Sequence, residues 1–393
     1  MSLSFQLQSP ISTSAEALYQ WHASGGAFER LCPPWQDIRV TQWAGGAKTS
    51  AEPVEVQFGD ISTGTCVYLK NHLGPFFVRI EAEHVAHQTG SFFIDEMRRG
   101  PFSYWRHTHR FTPCSNGESI LDDSIEFELP LRPLSWFAND MMTKEIARMF
   151  AFRHWRTQRD IDLHQRWNHK PRRTVLIVGD DQLALQLGAF LKNGGHSVHY
   201  ISERPLACRS HTVFGALAPA QLSSLSIDSI VFSTQTGKRH SRDVFEKVMQ
   251  SVLIDQVKVS VYLGERPMQP QDLQAPIRHI YLRLPSIWDG GYLCFHNRSR
   301  SSVAPGWCAL DDVLGGVEEM LFDERWEGAF DWSAPSPIDF SLLRSHGVGV
   351  RGLPFRVPYG VFNLFGLSLF NHAQSVEPLD YCWVDDSFFS KVF

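Results

Sequence analysis

The hydrophobic pattern of the chain changes near residue 170, and this change predicts two domains of different class. Before it, short strand-like runs recur about every ten residues between turns rich in Gly, Asn and Pro, which indicates an antiparallel sheet. One long helix with an apolar stripe is predicted over residues 137–167. After residue 173, continuous apolar strands alternate with helices, a pattern typical of a doubly wound parallel sheet. We therefore expect an α+β domain over residues 1–168 and an α/β domain over residues 169–393.

Composition argues against several classes of function. The 393 residues include 37 Lys and Arg against 42 Asp and Glu, so the chain lacks the basic excess of a nucleic-acid-binding protein. The seven cysteines are scattered and form no CxxC pair, which argues against a disulfide framework and a zinc site. No signal-peptide pattern and no apolar run of about 18 residues is present, so we expect a cytoplasmic protein without a membrane span. The oligomeric state stays open.

Three segments of the first half carry a family resemblance. They read AFERLCPPW at residues 27–35, FIDE at residues 93–96 and RGPFSYWRHTHRF at residues 99–111. Together they resemble the START-like domain, also called SRPBCC or polyketide cyclase-like, that is fused to some bacterial epimerase-family proteins. The resemblance implies a helix-grip fold, in which a curved sheet and one long helix bind apolar molecules between them.

The second half resembles the other domain of the same proteins. Residues 175–198 are similar to the opening strand–helix–strand unit of their extended short-chain dehydrogenase domain, and residues 334–337 and 353–358 to its closing region. This resemblance implies a Rossmann-like domain, nucleotide-sugar epimerase or dehydratase-like chemistry, and NAD(P) as cofactor.

The phosphate-binding turn of that family is altered in this chain. Its GxxGxxG spacing falls on Gly179, Gln182 and Leu185, so one glycine of three is present. Asp180 and Asp181 put carboxylates where a pyrophosphate would lie, and like charges repel each other. Acidic residues at this position also cap a helix N-terminus. We predict a capped turn that holds no cofactor, with an atypical NAD(P) site as the alternative.

The other residues of the dehydrogenase-like site are incomplete as well. Glu203 and Arg204 follow the second strand, where Glu can accept from a ribose hydroxyl and Arg can hold a 2′-phosphate. Their alternative role is an exposed charge pair. The family's chemistry needs a Tyr with Lys four residues later, whereas Tyr262 has Arg266, which stays charged and relays no proton. We predict vestigial cofactor contacts and an inactive, half-buried strand tyrosine.

The first domain carries the candidate ligand pocket. Alternate residues of a strand share one face, and the long helix presents a stripe toward the sheet. The predicted lining is Trp105, His107, His109, Phe111, Met142, Ile146, Met149 and Phe150. A well-filled core is the alternative interpretation of these residues.

The two histidines of this lining have more than one possible role. His107 and His109 can anchor a ligand or act as acid and base near neutral pH. Alternatively, they are hydrogen-bonded to neighbouring strands or to the long helix. No metal is expected, because a His-x-His pair needs a third ligand and the sequence marks none.

These observations favour a two-domain protein that binds a small apolar ligand or a protein partner, with an eroded dinucleotide site and no cofactor. A working NAD(P)-dependent epimerase or reductase is the first alternative. An interaction scaffold is the second.

Overall fold

The structure is a computed structural model. It describes residues 2–45, 54–55, 59–73, 76–130, 136–202, 212–214, 222, 225–233, 248, 256–264, 277–284, 286–289, 292–295 and 307–332. The described residues form two compact units, one extending to Asp162 and the other starting at Leu163. The first is an α+β unit with an antiparallel sheet and the second an α/β unit with a parallel sheet, so the expected succession of fold classes is confirmed.

The first unit is built on an eight-stranded antiparallel sheet. Its strands are β1 (Leu3–Ile11), β2 (Asp37–Gly45), β3 (Val54–Glu55), β4 (Cys66–Leu73), β5 (Phe76–Gln88), β6 (Phe92–Arg99), β7 (Tyr104–Pro113) and β8 (Ser119–Glu128). Their order across the sheet is β1-β8-β7-β6-β5-β4-β2-β3. Side chains alternate between half-buried and exposed along most of β1, as expected for a strand with one covered face.

Three helices accompany this sheet. They are α1 (Ala15–His22), α2 (Ala27–Leu31) and the 30-residue α3 (Trp136–Gln165). The hydroxyl of Ser14 caps α1 by accepting from the Ala17 N–H at 3.2 Å, as its position before an apolar stripe predicts. The segment carrying α2 is joined to α3 by a buried ion pair, in which Arg30 donates two hydrogen bonds of 2.6 and 2.8 Å to Asp160.

The second unit is built on a seven-stranded parallel sheet. Its strands are β9 (Thr174–Val178), β10 (Ser197–Ile201), β11 (Thr212–Phe214), β12 (Ser229–Ser233), β13 (Val259–Gly264), β14 (Arg278–Arg283) and β18 (Gly328–Asp331). Their order is β11-β10-β9-β12-β13-β14-β18, so the order along the chain reverses at β9. Strands β15 (Ser286–Asp289), β16 (Tyr292–Phe295) and β17 (Trp307–Ala309) form a separate small sheet.

Helices α4 (Gln182–Asn193) and α5 (Leu310–Phe322) bury apolar faces in the second unit. The side chains of residues 175–178 on β9 are all buried, which matches the continuous apolar run in the sequence. Glu318 of α5 is also buried, and its carboxylate lies 2.9 Å from His164 Nδ1 and 3.2 Å from His196 Nε2. No helix among the described residues is both long and apolar enough to cross a membrane.

Candidate functional site

Two histidines of β7 lie in the interior of the first unit, as their alternation predicts. His107 pairs across the sheet with Asp95 of β6, and His109 pairs with Asp123 of β8. Their side chains are 3% and 8% exposed. Side chains directly opposite each other in an antiparallel pair lie close together, so the strand register itself places a carboxyl group beside each imidazole.

Asp123 is the centre of this group. Its Oδ1 lies 3.2 Å from His107 Nε2 and 2.7 Å from His109 Nδ1. Its Oδ2 lies 2.9 Å from Nε2 of His154, which comes from α3. The other nitrogen of His154 lies 2.8 Å from the Ser9 hydroxyl of β1. The carboxylate therefore joins the sheet to the long helix, since its three histidine neighbours come from both.

Asp95 and His84 extend the group across the sheet. Asp95 Oδ2 lies 3.2 Å from His107 Nδ1, although the contact lacks the alignment of a hydrogen bond. His84 of β5 pairs with Asp95 in the register. Within the described part of the chain, neither nitrogen of His84 has a hydrogen-bond partner. The group thus holds several buried polar atoms, of which only some are satisfied.

The two histidines of β7 differ in their protonation state near pH 7. Burial alone would raise the pKa of Asp123, but the histidines around it hold this pKa well below its usual value, and they also lower the pKa of Asp95. Burial opposes protonation of His107, yet Asp95 and Asp123 raise its pKa to about 9. Burial and the charge of His107 lower the pKa of His109 to about 4. A protonated imidazole therefore stands beside a neutral one near pH 7, and such a pair can act as acid and base.

Aromatic rings surround the two imidazoles. The ring centroids of His107 and His109 are 3.7 Å apart. Phe93 stacks on His109 at 4.1 Å, and Phe150 meets His107 edge-on at 4.9 Å. His22 of α1 lies 6.0 Å from His109, and burial lowers its pKa to about 3. The polar group is consequently enclosed by apolar side chains on the inner face of the sheet.

The predicted pocket residues divide into two apolar clusters on either side of the histidines. One cluster, which we call the α3 cluster, has a buried centre of Ile125, Phe127, Ile146 and Phe150. Its partly buried members are Leu3, Phe5, Leu7, Phe102, Trp105, Met142 and Met149. Phe111 belongs instead to a second cluster around α1, where it meets Tyr19 edge-on at 5.7 Å. Five of the predicted residues thus share the α3 cluster, whereas Phe111 does not.

The altered phosphate turn of the second unit is occupied by a side chain of the chain itself. Asp181 is the N-cap of α4, and its Oδ1 accepts from the Ala184 N–H at 2.8 Å. Its Oδ2 accepts from the Ser233 hydroxyl at 2.6 Å. Gly179 has φ +148°, and a side chain there would meet the Ser233 carbonyl at 3.0 Å. The carboxylate thus lies at the helix N-terminus, where a pyrophosphate binds in dinucleotide folds.

Tyr262 lies in strand β13, as predicted, but it is buried and not half-buried. Its ring is stacked between Phe232, at 4.9 Å, and Tyr281, at 4.7 Å. Burial raises the pKa of its hydroxyl, whereas a tyrosine that acts as a base needs a lowered one. Glu203 and Arg204, the other predicted cofactor contacts, lie outside the described residues.

The residues predicted from the sequence for this site do not include Asp95, Asp123 or His154. Signals for them exist in the strand and helix periods. Asp123 is the polar member of a row with Leu121, Ile125 and Phe127. His154 falls eight residues after Ile146 on the buried stripe of α3. A charged or polar residue within a buried row is the pattern that marks such a group.

Comparison with known proteins finds a likeness for the first unit. Residues 11–152 match the family model of polyketide cyclase / dehydrase and lipid transport. This match covers β2–β8, α1, α2 and half of α3, so it contains both carboxylates of the polar group and four of its histidines. His154 lies two residues beyond the matched region. No curated protein matches the chain in sequence.

Solved structures extend the likeness to both units. The nucleoside-diphosphate sugar epimerase from Corynebacterium glutamicum is 18% identical to this chain, with a TM-score of 0.63. The alignment covers 88% of this chain and 82% of the epimerase chain. A norcoclaurine synthase variant from Thalictrum flavum is 11% identical over 42% of this chain and 97% of its own, with a TM-score of 0.32. The first likeness supports a two-domain protein of the predicted fold. The second is too distant to add to this.

Proposed function

We propose that the protein binds a small, mainly apolar molecule in its first unit, and that its second unit works without NAD(P). The observation that carries the proposal is the contact between the α3 cluster and the histidine pair. His107 meets Phe150 edge-on at 4.9 Å, so an apolar surface and a polar group adjoin on one face of the sheet.

The composition of the α3 cluster supports an apolar ligand. Its centre is fully buried, but seven of its members are only partly buried, including Trp105, Met142 and Met149. Binding sites for small molecules are mostly apolar and carry a few polar groups that orient the ligand. Methionine and aromatic side chains adapt to irregular apolar shapes. The family matched by residues 11–152 includes lipid transport in its description, which agrees with this chemistry.

The histidine pair supplies the polar end of this site. Both ring nitrogens of His107 face carboxylates, those of Asp95 and Asp123. His109 turns its Nδ1 toward Asp123, so its other ring nitrogen is the atom that can accept from a ligand hydroxyl. An apolar molecule with one polar end would therefore be oriented with that end toward β7.

The N-terminus of α4 in the second unit supports the part of the proposal that concerns NAD(P). The order β11-β10-β9-β12-β13-β14 corresponds to the 3-2-1-4-5-6 order of dinucleotide-binding folds, whose ligands lie where the order reverses. At that point the Asp181 carboxylate already accepts the Ala184 N–H. A pyrophosphate would have to displace this carboxylate or lie beside its charge, and both are unfavourable.

Native mass spectrometry of the dialysed full-length protein after incubation with a bacterial lipid extract tests the proposal. We expect one bound apolar molecule per chain in the wild type and little in Met142→Trp, whose larger side chain fills the α3 cluster. Met141→Trp is the matched control, because Met141 lies next on α3 but outside that cluster. No bound molecule in the wild type, or equal loading of all three proteins, would contradict the proposal.

A further inference from the structure

We propose that Asp95, His107 and His109 form a binding site for one divalent transition-metal ion. One carboxylate oxygen of Asp95 and one ring nitrogen of each histidine lie within 4.8 Å of one another. This inference goes beyond the binding of an apolar ligand and does not depend on it. The sequence marked no third ligand for the His-x-His pair, but the pairing of β6 with β7 brings Asp95 beside it.

The distance between two of the three ligand atoms is close to that of a tetrahedral site. With Zn–N and Zn–O bonds of about 2.0–2.1 Å, neighbouring ligand atoms lie roughly 3.3 Å apart. His107 Nδ1 and Asp95 Oδ2 are already 3.2 Å apart. Small rotations of side chains would therefore bring all three ligands to bonding distance. Two imidazoles and a carboxylate suit Zn²⁺, Co²⁺ or Fe²⁺ and disfavour Mg²⁺, which prefers oxygen ligands.

The outer contacts of His107 have the arrangement found around metal-bound histidines. While Nδ1 faces Asp95, Nε2 is hydrogen-bonded to Asp123 Oδ1 at 3.2 Å. Asp123 is in turn held by His154 Nε2 at 2.9 Å. A ligating histidine usually donates its second N–H to a carboxylate, which fixes the ring and makes the ligating nitrogen more basic. This supporting contact is independent of the three-residue cluster.

Two buried atoms at the same place, whose contacts are poorly aligned, also favour binding of a cation. Among the described residues, Asp95 Oδ2 and His109 Nδ1 are buried without a hydrogen-bond partner. His109 Nδ1 lies 2.7 Å from Asp123 Oδ1, but this contact is not aligned as a hydrogen bond. Buried polar atoms without partners are costly and rare in folded proteins. A divalent ion would provide a partner for both atoms and would take the place of the His107 proton between the two neighbouring carboxylates.

The site would also leave room for chemistry. Three protein ligands leave a fourth position of a tetrahedral ion open to water or to a ligand oxygen. Because His107 meets Phe150 edge-on at 4.9 Å, the ion would lie near the α3 cluster.

Isothermal titration of chelator-treated, full-length protein with Zn²⁺ tests the inference. We expect one Zn²⁺ per chain, visible absorption bands with Co²⁺, and no binding of Mg²⁺. Asp95→Asn and His109→Gln should each weaken Zn²⁺ binding by about 100-fold or more, since loss of an outer-shell contact alone costs about 10- to 100-fold. His22→Gln is the control, because His22 is equally buried in the same unit but outside the cluster.

Wild-type affinity for Zn²⁺ in both ligand variants would overturn the inference, because the remaining histidines would then account for the binding. Absence of tight Zn²⁺ binding by the wild type would overturn it directly. Circular dichroism checks the fold of each variant. If His109→Gln unfolds, the inference is tested by the Zn²⁺ affinity of the conservative Asp95→Asn variant and by the Co²⁺ spectrum of the wild type. Loading with an apolar molecule is measured separately, so failure here leaves the proposed function standing.

Discussion

The Ser233 hydroxyl donates a hydrogen bond of 2.6 Å to the Asp181 carboxylate, and this contact links the end of β12 to the start of α4. The two elements flank the point where the strand order reverses. Asp181 therefore caps the helix and places its charge at the helix N-terminus.

The first prediction concerns nicotinamide cofactors. Because Asp181 occupies the helix N-terminus, NAD, NADH, NADP and NADPH should leave the thermal unfolding midpoint of the dialysed protein unchanged. A ligand present at about 100 times its Kd would stabilise the fold by about 2.7 kcal/mol, which differential scanning fluorimetry detects readily. A clear upward shift with any of the four would show that the turn accepts a dinucleotide.

The second prediction concerns Tyr262. Replacing it by Phe keeps the ring stack with Phe232 and Tyr281, so loading with lipid should not change and the free energy of unfolding should change by about 1 kcal/mol or less. Tyr262→Ala removes the ring and should cost about 3–5 kcal/mol, as other buried aromatic truncations do. Urea denaturation measures both. Loss of a function in the folded Phe variant would mean that the hydroxyl takes part in it.

The third prediction concerns acid stability of the second unit. Burial opposes ionisation of Glu318, but His164 and His196 outweigh it and lower its pKa from 4.5 to about 2. A lowered folded-state pKa stabilises the fold above the unfolded-state value, and this contribution disappears as the pH falls from 4.5 toward 2. One pKa unit corresponds to about 1.4 kcal/mol, so the contribution of Glu318 to the free energy of unfolding amounts to roughly 3 kcal/mol.

Urea denaturation of the wild type and Glu318→Gln at several pH values measures this contribution. The wild type should be the more stable protein above pH 4.5, and the difference should shrink toward pH 2. A difference that is the same at every pH would rule out ionisation of Glu318 as its source.

The fourth prediction concerns the ion pair of Arg30 and Asp160, whose side chains are both fully buried. Asp160→Ala leaves a buried guanidinium without its carboxylate and should cost about 3–5 kcal/mol. Asp162→Ala is the control, since Asp162 is only half-buried and the hydrogen bonds that it accepts from Ser12 and Gln158 contribute about 1 kcal/mol each. If both variants lose the same free energy of unfolding, the buried ion pair stabilises the fold no more than the half-buried carboxylate does.

Local pattern predicted much of the fold and part of the site. The continuous apolar run of β9 and the alternation of β7 each determine which side chains are buried, so the class of each unit and the inward direction of His107 and His109 followed from sequence. The partners of these histidines did not follow. Asp123 lies 16 residues after His107 and 31 before His154, and their contacts depend on strand register and on how α3 packs. A bulge in β5 also affects how β5 pairs with β6 next to His84 and Asp95, and no local signal in the sequence places it.

The most direct test of ligand binding by the first unit is a fluorescence titration of the full-length protein with a fluorescent long-chain fatty acid. The account predicts saturable binding of one molecule per chain. Met142→Trp should bind the fatty acid about tenfold more weakly, which corresponds to a loss of about 1.4 kcal/mol of binding free energy. The affinity of Met141→Trp should equal that of the wild type. Unsaturable binding to the wild type, or the same affinity in wild type and Met142→Trp, would contradict it.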